Sequence, residues 1–145
     1  MVILSLFSER LSDLMFDAKI KSDELGNKIG VSGSAIRRWQ RGIGTINLTN
    51  IILLADFFGC AVDYIAGRSE SNDVFTPKEL PPFPLRLREV LQEKGMSRYS
   101  MDRDTKFKDC FFWRWDKGTV PTLPNLIELA DLLNCSIDYL IGREN

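Results

Sequence analysis

The chain has 145 residues, of which 44% are hydrophobic, so it is long and apolar enough to fold around a core. Its formal net charge is -1, which excludes a bulk polycation and leaves nucleic-acid binding to local basic patches. Residues 1–68 carry 8 basic and 7 acidic side chains, and residues 69–145 carry 11 and 13. The three cysteines lie far apart, which predicts neither a zinc site nor a disulfide framework and favours a reducing compartment.

The first residues, "MVILSLF", lack the basic flank of a secretory signal and run quickly into a polar stretch. No apolar run approaches the ~20 residues that a membrane-spanning helix needs. We therefore expect a cytoplasmic protein that makes no use of a membrane.

The first predicted helix carries apolar residues at helical spacing, namely Phe7, Leu11, Leu14 and Met15. The stretch 22–42, "SDELGNKIGVSGSAIRRWQRG", then predicts two helices joined by a tight turn. Gly26 allows the two helices to approach closely, Gly30 supplies the positive φ of the turn, and Ser32 caps the second helix. The face expected to point inward consists of Leu25, Ile29, Val31, Ile36 and Trp39.

A fourth helix follows in "NLTNIILLADFF", and a short fifth one in "VDYIAG", which ends at Gly67. No stretch alternates like a strand, so the sequence predicts an all-α fold.

The second half repeats this pattern. Residues 54–68 and 129–143 share 8 of 15 positions, and further upstream an offset of 76 pairs Trp39 with Trp115 and Gly42 with Gly118. We therefore expect two five-helix domains, at residues 1–68 and 83–145. The linker, residues 69–82, is polar and ends in Pro-Pro, and Pro84 can sit in the first turn of the next helix.

The outer face of the predicted helix 33–41 is basic. It presents Arg37, Arg38 and Arg41, with no acidic residue among them. Guanidinium groups bind phosphate and guanine bidentately, so this face is typical of a DNA-reading surface.

The motif in residues 25–42 resembles the phage Cro/repressor-type helix-turn-helix family, and so does the tail "VDYIAG" with its second copy "SIDYLIG". The resemblance covers nearly all of residues 7–68 and again 83–143, and it implies two tandem lambda-repressor-like domains. It implies major-groove reading by the second helix of the motif. Base contacts would fall on Gly33, Ser34, Arg37 and Arg38, and phosphate contacts on Ser22, Ser32, Arg41 and Thr45. Members of the family often have glutamine where Ser22 and Gly33 stand, so specificity here would depend on Arg37 and groove shape.

The second domain departs from this pattern in its own motif, residues 98–118. Lys106 replaces the turn glycine, where a positive φ would cost about 1 kcal/mol. Asp102 replaces Gly26, and Thr105 replaces an apolar residue. Asp109 stands at the first base-reading position, and Trp113 stands where the first domain has Arg37.

Three interpretations of this second domain remain open. It is a second DNA reader using Lys106, Lys108, Arg114 and Lys117; or a protein-contact domain using Phe111 and Trp113; or a domain in which both aromatic residues belong to its own core. The second is favoured, because exposed aromatic residues are typical of interfaces.

These observations predict a sequence-specific regulator of transcription, of the repressor kind, that binds double-stranded DNA as a homodimer. The alternative is a protein-interaction module, such as an antirepressor-like partner. We expect no enzyme, since the chain has no histidine, no glycine-rich phosphate loop and no metal-ligand spacing. We likewise expect no cofactor, no metal and no small-molecule ligand.

Overall fold

The computed structural model describes residues 2–144, with side chains from Leu6 onward. All regular structure in this range is helical, which confirms the predicted all-α class, and each repeat contributes five helices. In the first repeat they are α1 (Val2–Ala18), α2 (Ser22–Ile29), α3 (Gly33–Gln40), α4 (Leu48–Phe58) and α5 (Val62–Ile65). In the second they are α6 (Phe83–Glu93), α7 (Arg98–Asp104), α8 (Asp109–Asp116), α9 (Leu123–Leu132) and α10 (Ile137–Ile141).

The chain divides into two compact units. The first extends to Pro77 and includes the short segment Thr122–Pro124, whereas the second comprises Lys78–Pro121 and the residues from Asn125 onward. The units therefore differ slightly from the sequence repeats. The domain limits 1–68, 69–82 and 83–145 stay a prediction.

The core of the first unit is built from one face of each helix. Its most buried side chains include Phe7, Leu11, Leu25, Ile36, Ile51, Leu54 and Ile65. Trp39 is also buried, and its carbonyl oxygen accepts a hydrogen bond of 2.6 Å from the Ser8 hydroxyl of α1. Ile29 and Val31, predicted to face inward, are only half-buried because they flank the turn at the edge of the unit.

The turn between α2 and α3 depends on two glycines, as the sequence predicts. Gly30 has φ 84°, and its N–H donates to the Gly26 carbonyl at 2.8 Å. A Cβ on Gly26 would collide with the carbonyl oxygen of Val31. The Ser32 hydroxyl accepts from the Ala35 N–H at 3.1 Å and so caps α3.

Each sequence repeat ends in an Asp–Arg ion pair, which explains why Asp and Arg recur in the repeated tail. Arg143 and Asp138 are both buried and approach to 2.6 Å, and Arg68 binds Asp63 at the equivalent position. Truncating one member of a buried pair leaves the other charge uncompensated, so both residues are needed together.

The turn of the second unit differs from the one we expected. Helix α7 has 7 residues rather than 8 and gives way to Thr105 in an extended conformation, with φ -132°. Among the described residues, the only side-chain-bearing residues at positive φ are Lys19 and Asn134. The predicted strain at Lys106 is therefore wrong.

The side chain of Thr105 takes over the role of the turn glycine. Its hydroxyl donates to the Met101 carbonyl at 2.6 Å and accepts from the Phe107 N–H at 3.0 Å. Asp102 is used in a similar way, because its carboxylate accepts from the Asp109 N–H at 2.7 Å at the start of α8. Local hydrogen bonds of this kind let a turn form without a glycine.

Gly30→Ala should destabilise the first unit by about 1 kcal/mol, because a Cβ is disfavoured at positive φ. Apart from its chain neighbours, no atom lies within 4 Å of the position that this Cβ would take. The loss of stability therefore comes from backbone strain and not from a steric collision. Hydrogen exchange at the Leu25 and Ile36 amides measures the effect in this unit. Asn27→Ala, an exposed change in the same helix, should leave exchange almost unaltered, and equal protection in both variants would contradict the turn geometry.

Thr105→Val should destabilise the second unit by about 1–2 kcal/mol, because the Phe107 N–H loses its acceptor. Lys106→Ala is the control, since it keeps the Thr105 hydroxyl and removes an exposed ion pair with Glu128, worth about 0–1 kcal/mol, and a contact of the ammonium with the Phe107 ring. Urea unfolding measures both. A gain in stability from Lys106→Gly would show that the turn holds a positive φ after all.

Candidate nucleic-acid interface

The interface candidate is the outer face of α3. Ile36 and Trp39 point inward and are buried, which leaves Ser34, Arg37 and Arg38 exposed on the opposite side. Gly33, the first residue of the helix, is half-buried, and Arg41 is exposed where the helix ends. The amphipathic pattern of this short helix thus fixes which side chains meet solvent.

Arg37 is held by three oxygen atoms. Its Nη1 donates to the Ser22 hydroxyl and to Oδ1 of Asp23, each at 3.0 Å, and its Nη2 donates to the Ser34 hydroxyl at 3.3 Å. The sequence predicted a basic face without an acid, which holds for α3 alone. The acid comes from the first turn of α2, whose N-terminal end lies beside that of α3.

Arg38 takes a different direction from Arg37. Its Nη2 lies 3.1 Å from the position that a Cβ on Gly44 would occupy, so the guanidinium lies against the loop that follows α3. The same loop contains Thr45, a predicted phosphate contact, which is exposed. The two arginines therefore do not form a single cluster.

The remaining predicted phosphate contacts lie at both ends of the motif. Ser22 is half-buried at the start of α2, Ser32 is exposed and caps α3, and Arg41 is exposed. Gly42 and Gly44 adopt φ values of 72° and 74° just beyond Arg41, a conformation that glycine adopts readily. Hydroxyl and guanidinium donors thus flank the exposed face of α3 on two sides.

In the second unit the four predicted cationic contacts are exposed, but each is engaged within the unit. Lys106 binds Glu128 at 3.0 Å, and Lys108 donates to the Asp102 carbonyl at 2.7 Å. The Arg114 guanidinium lies over the Phe111 ring at 5.0 Å, and the Lys117 ammonium over the Trp113 ring at 5.6 Å.

Arg98 occupies the repeat position of Ser22 and binds two carboxylates of α8. Its Nε donates to Oδ1 of Asp109 at 2.7 Å, and its Nη1 to Oδ2 of Asp116 at 3.1 Å. Sequence reasoning missed Arg98. The usable signal was that Arg98 and Asp109 align with Ser22 and Gly33, two positions of the first motif that were already singled out together. The charge order is reversed between the units, since in the first the acid lies on α2 and the arginine on α3.

Phe111 and Trp113 differ in exposure and do not form an exposed pair, and their role at a protein interface stays a prediction. Phe111 is half-buried, with its ring centroid 5.5 Å from that of Phe107 and 5.7 Å from that of Trp115. Phe111 therefore packs against aromatic side chains of its own unit. Trp113 lies two positions further along α8, on the outer face, and is 57% exposed.

A second exposed aromatic residue, Tyr99, lies at the repeat position of Asp23 and is 71% exposed. The Arg103 guanidinium lies 5.5 Å from its ring centroid and binds Asp104 at 2.8 Å. That hydrogen bond from Arg103 lowers the pKa of Asp104. Where the first unit presents Asp23 and Arg37, the second therefore presents Tyr99 and Trp113.

Two further properties of the described residues bear on function. Among the described residues no cluster of His, Cys, Asp or Glu is arranged to hold a metal ion. Within the same part of the chain, none of the helices combines the length and apolarity required to cross a membrane.

The fold and this exposed cationic helix define a protein with two helix-turn-helix domains in tandem. Residues 17–65 match the family model described as Helix-turn-helix, and residues 86–145 match the model described as Cro/C1-type HTH DNA-binding domain. The chain belongs to this Cro/repressor-type helix-turn-helix family, which confirms the resemblance seen in the sequence and identifies a DNA-binding regulator. The altered turn of the second unit lies within the second match. No curated protein and no solved structure gives a significant match to the chain.

Proposed function

We propose that the protein is a sequence-specific regulator of transcription, of the repressor kind, that reads the major groove of double-stranded DNA with α3. The observation that carries this proposal is the outer face of α3, where Arg37, Arg38 and Arg41 are exposed on a helix whose inner face is buried. A helix so presented fits the width of the major groove. A DNA ligand favours a cytoplasmic location for such a regulator.

In this proposal the roles divide along the helix. Ser34 and Arg37, with the backbone of Gly33, meet the base edges. Ser22, Ser32, Arg41 and Thr45 meet the phosphates. Arg38, proposed from sequence as a base contact, is better placed for a phosphate, because its guanidinium lies beside Gly44 in the loop after α3.

We further propose a homodimer on an inverted-repeat site. One short helix contacts few base pairs, and paired reading heads bind half-sites about 34 Å apart. The second unit is poorly suited to be the other head, since Asp109 and Trp113 stand where the first unit has Gly33 and Arg37. A carboxylate at that position faces phosphate repulsion, whereas an exposed tryptophan suits a protein contact.

The alternative, a protein-interaction module, is favoured by one observation, namely the exposure of both Tyr99 and Trp113. The two functions differ in their response to salt. A DNA-binding regulator loses affinity for random duplex steeply as salt rises, because phosphate contacts release counterions. An interaction module would show almost no such slope.

Arg37→Ala should weaken binding to the cognate duplex by about 1–3 kcal/mol and relax discrimination at one base pair, because a bidentate base contact is lost. The cognate sequence is first selected from a random duplex pool, and affinities are then measured for the full chain.

Arg88→Ala is the matched control, since Arg88 is an exposed arginine on α6 and its loss changes the net charge equally. It should leave discrimination unaltered. Unchanged affinity for Arg37→Ala, together with a collapse for Arg114→Ala, would move the reading surface to the second unit.

A further inference from the structure

We infer that Asp23, which lies outside α3, is a specificity-determining residue: it positions the Arg37 guanidinium for a single guanine. This inference rests on the proposed function and names the contact through which the first unit selects its sequence. It starts from the distances around Arg37, not from the charge of α3.

The hydrogen-bond donors of Arg37 are divided in a way that suits base reading. A guanidinium has five N–H donors, and three of them go to Ser22, Asp23 and Ser34. Two donors remain, which is the number that the O6 and N7 acceptors of guanine take up. Held from α2, the guanidinium meets the DNA with its orientation already set.

Gly33 provides the space for this arrangement. A Cβ on Gly33 would collide with Oδ1 of Asp23 and would lie 3.0 Å from its Cγ and 3.1 Å from its Cα. Any other residue at this position would push the Asp23 carboxylate away from Arg37. Gly33 and Asp23 therefore act together: because Gly33 has no side chain, the Asp23 carboxylate of α2 can lie at the start of α3.

Stability does not account for the pair. The Asp23 side chain is 80% exposed and that of Arg37 is 45% exposed, and ion pairs this open contribute little to folding. A carboxylate on a DNA-facing surface also repels phosphate. Its benefit lies in orientation: an ordered guanidinium loses less side-chain freedom on binding guanine, and it is less available to phosphates elsewhere.

The equivalent positions of the second unit also support a joint role for Asp23, Arg37 and Gly33. At the positions of Asp23 and Arg37 it has Tyr99 and Trp113, and at the position of Gly33 it has Asp109. The acid, the arginine and the glycine are thus replaced together, as expected of residues that act together.

The test compares three further variants, together with Arg37→Ala, in the full chain. Each is measured on two duplexes, the selected cognate site and the same site with the guanine opposite Arg37 replaced. A bidentate contact gives about 5- to 150-fold discrimination between them. Asp23→Asn should bind random duplex more tightly, because a negative charge is lost, and should lose at least about threefold of that discrimination. Glu24→Gln removes the same charge from the next, exposed residue of α2. It should raise random-duplex affinity equally while keeping discrimination intact.

Gly33→Ala is the third variant and changes no charge. It should reduce discrimination as Asp23→Asn does, with the thermal unfolding midpoint of each variant recorded to exclude loss of fold. Wild-type discrimination in both Asp23→Asn and Gly33→Ala would overturn the inference, and if Arg37→Ala still lost discrimination, the proposed function would stand. A wild-type chain that does not distinguish the two duplexes would overturn the proposed function and this inference with it.

Discussion

The arrangement of the first unit depends on the close approach of α2 and α3 at Gly26. No Cβ fits there, since it would collide with the Val31 carbonyl, so the two backbones meet directly and Gly30 closes the turn at positive φ. This contact fixes the rotation of α3, because Ile36 and Trp39 then reach the core and Arg37 must face outward beside the first turn of α2. The exposed cationic face of α3 is therefore a consequence of helix packing, and the arginines only occupy the face that the packing leaves open.

The second unit keeps the two helices of the motif, but polar side chains replace the glycines at the contact and turn between them. At the position of Gly26 stands Asp102, whose carboxylate binds the N–H of Asp109, and Thr105 closes the turn through its hydroxyl. Arg98 then ties α7 to α8 through Asp109 and Asp116. Polar side chains thus do what glycines do in the first unit. The predicted base-reading positions of this unit carry Asp109 and Trp113 where the first unit has Gly33 and Arg37, which supports the proposal that only the first unit reads DNA.

The sequence predicted the parts of the fold that depend on local pattern. Helical spacing, the cap at Ser32 and the turn at Gly30 all follow from residues close in the chain. It could not predict the partner of Arg37, because Asp23 is 14 residues away and only the packing of α2 on α3 brings them together. It also misjudged Lys106, since a repeat alignment assumes the same backbone and ignores the hydroxyl of Thr105. Phe111 and Trp113 differ in burial because residues two positions apart on one helix do not share a face.

The central claim is that one unit of each chain reads DNA, so that two chains are required for one site. Sedimentation of the full chain with a duplex chosen from a random pool tests this most directly. The account predicts two chains per duplex and a selected sequence that is an inverted repeat, with half-sites about one helical turn apart. One chain per duplex, on a sequence with two dissimilar half-sites, would contradict it and show that the second unit reads DNA as well.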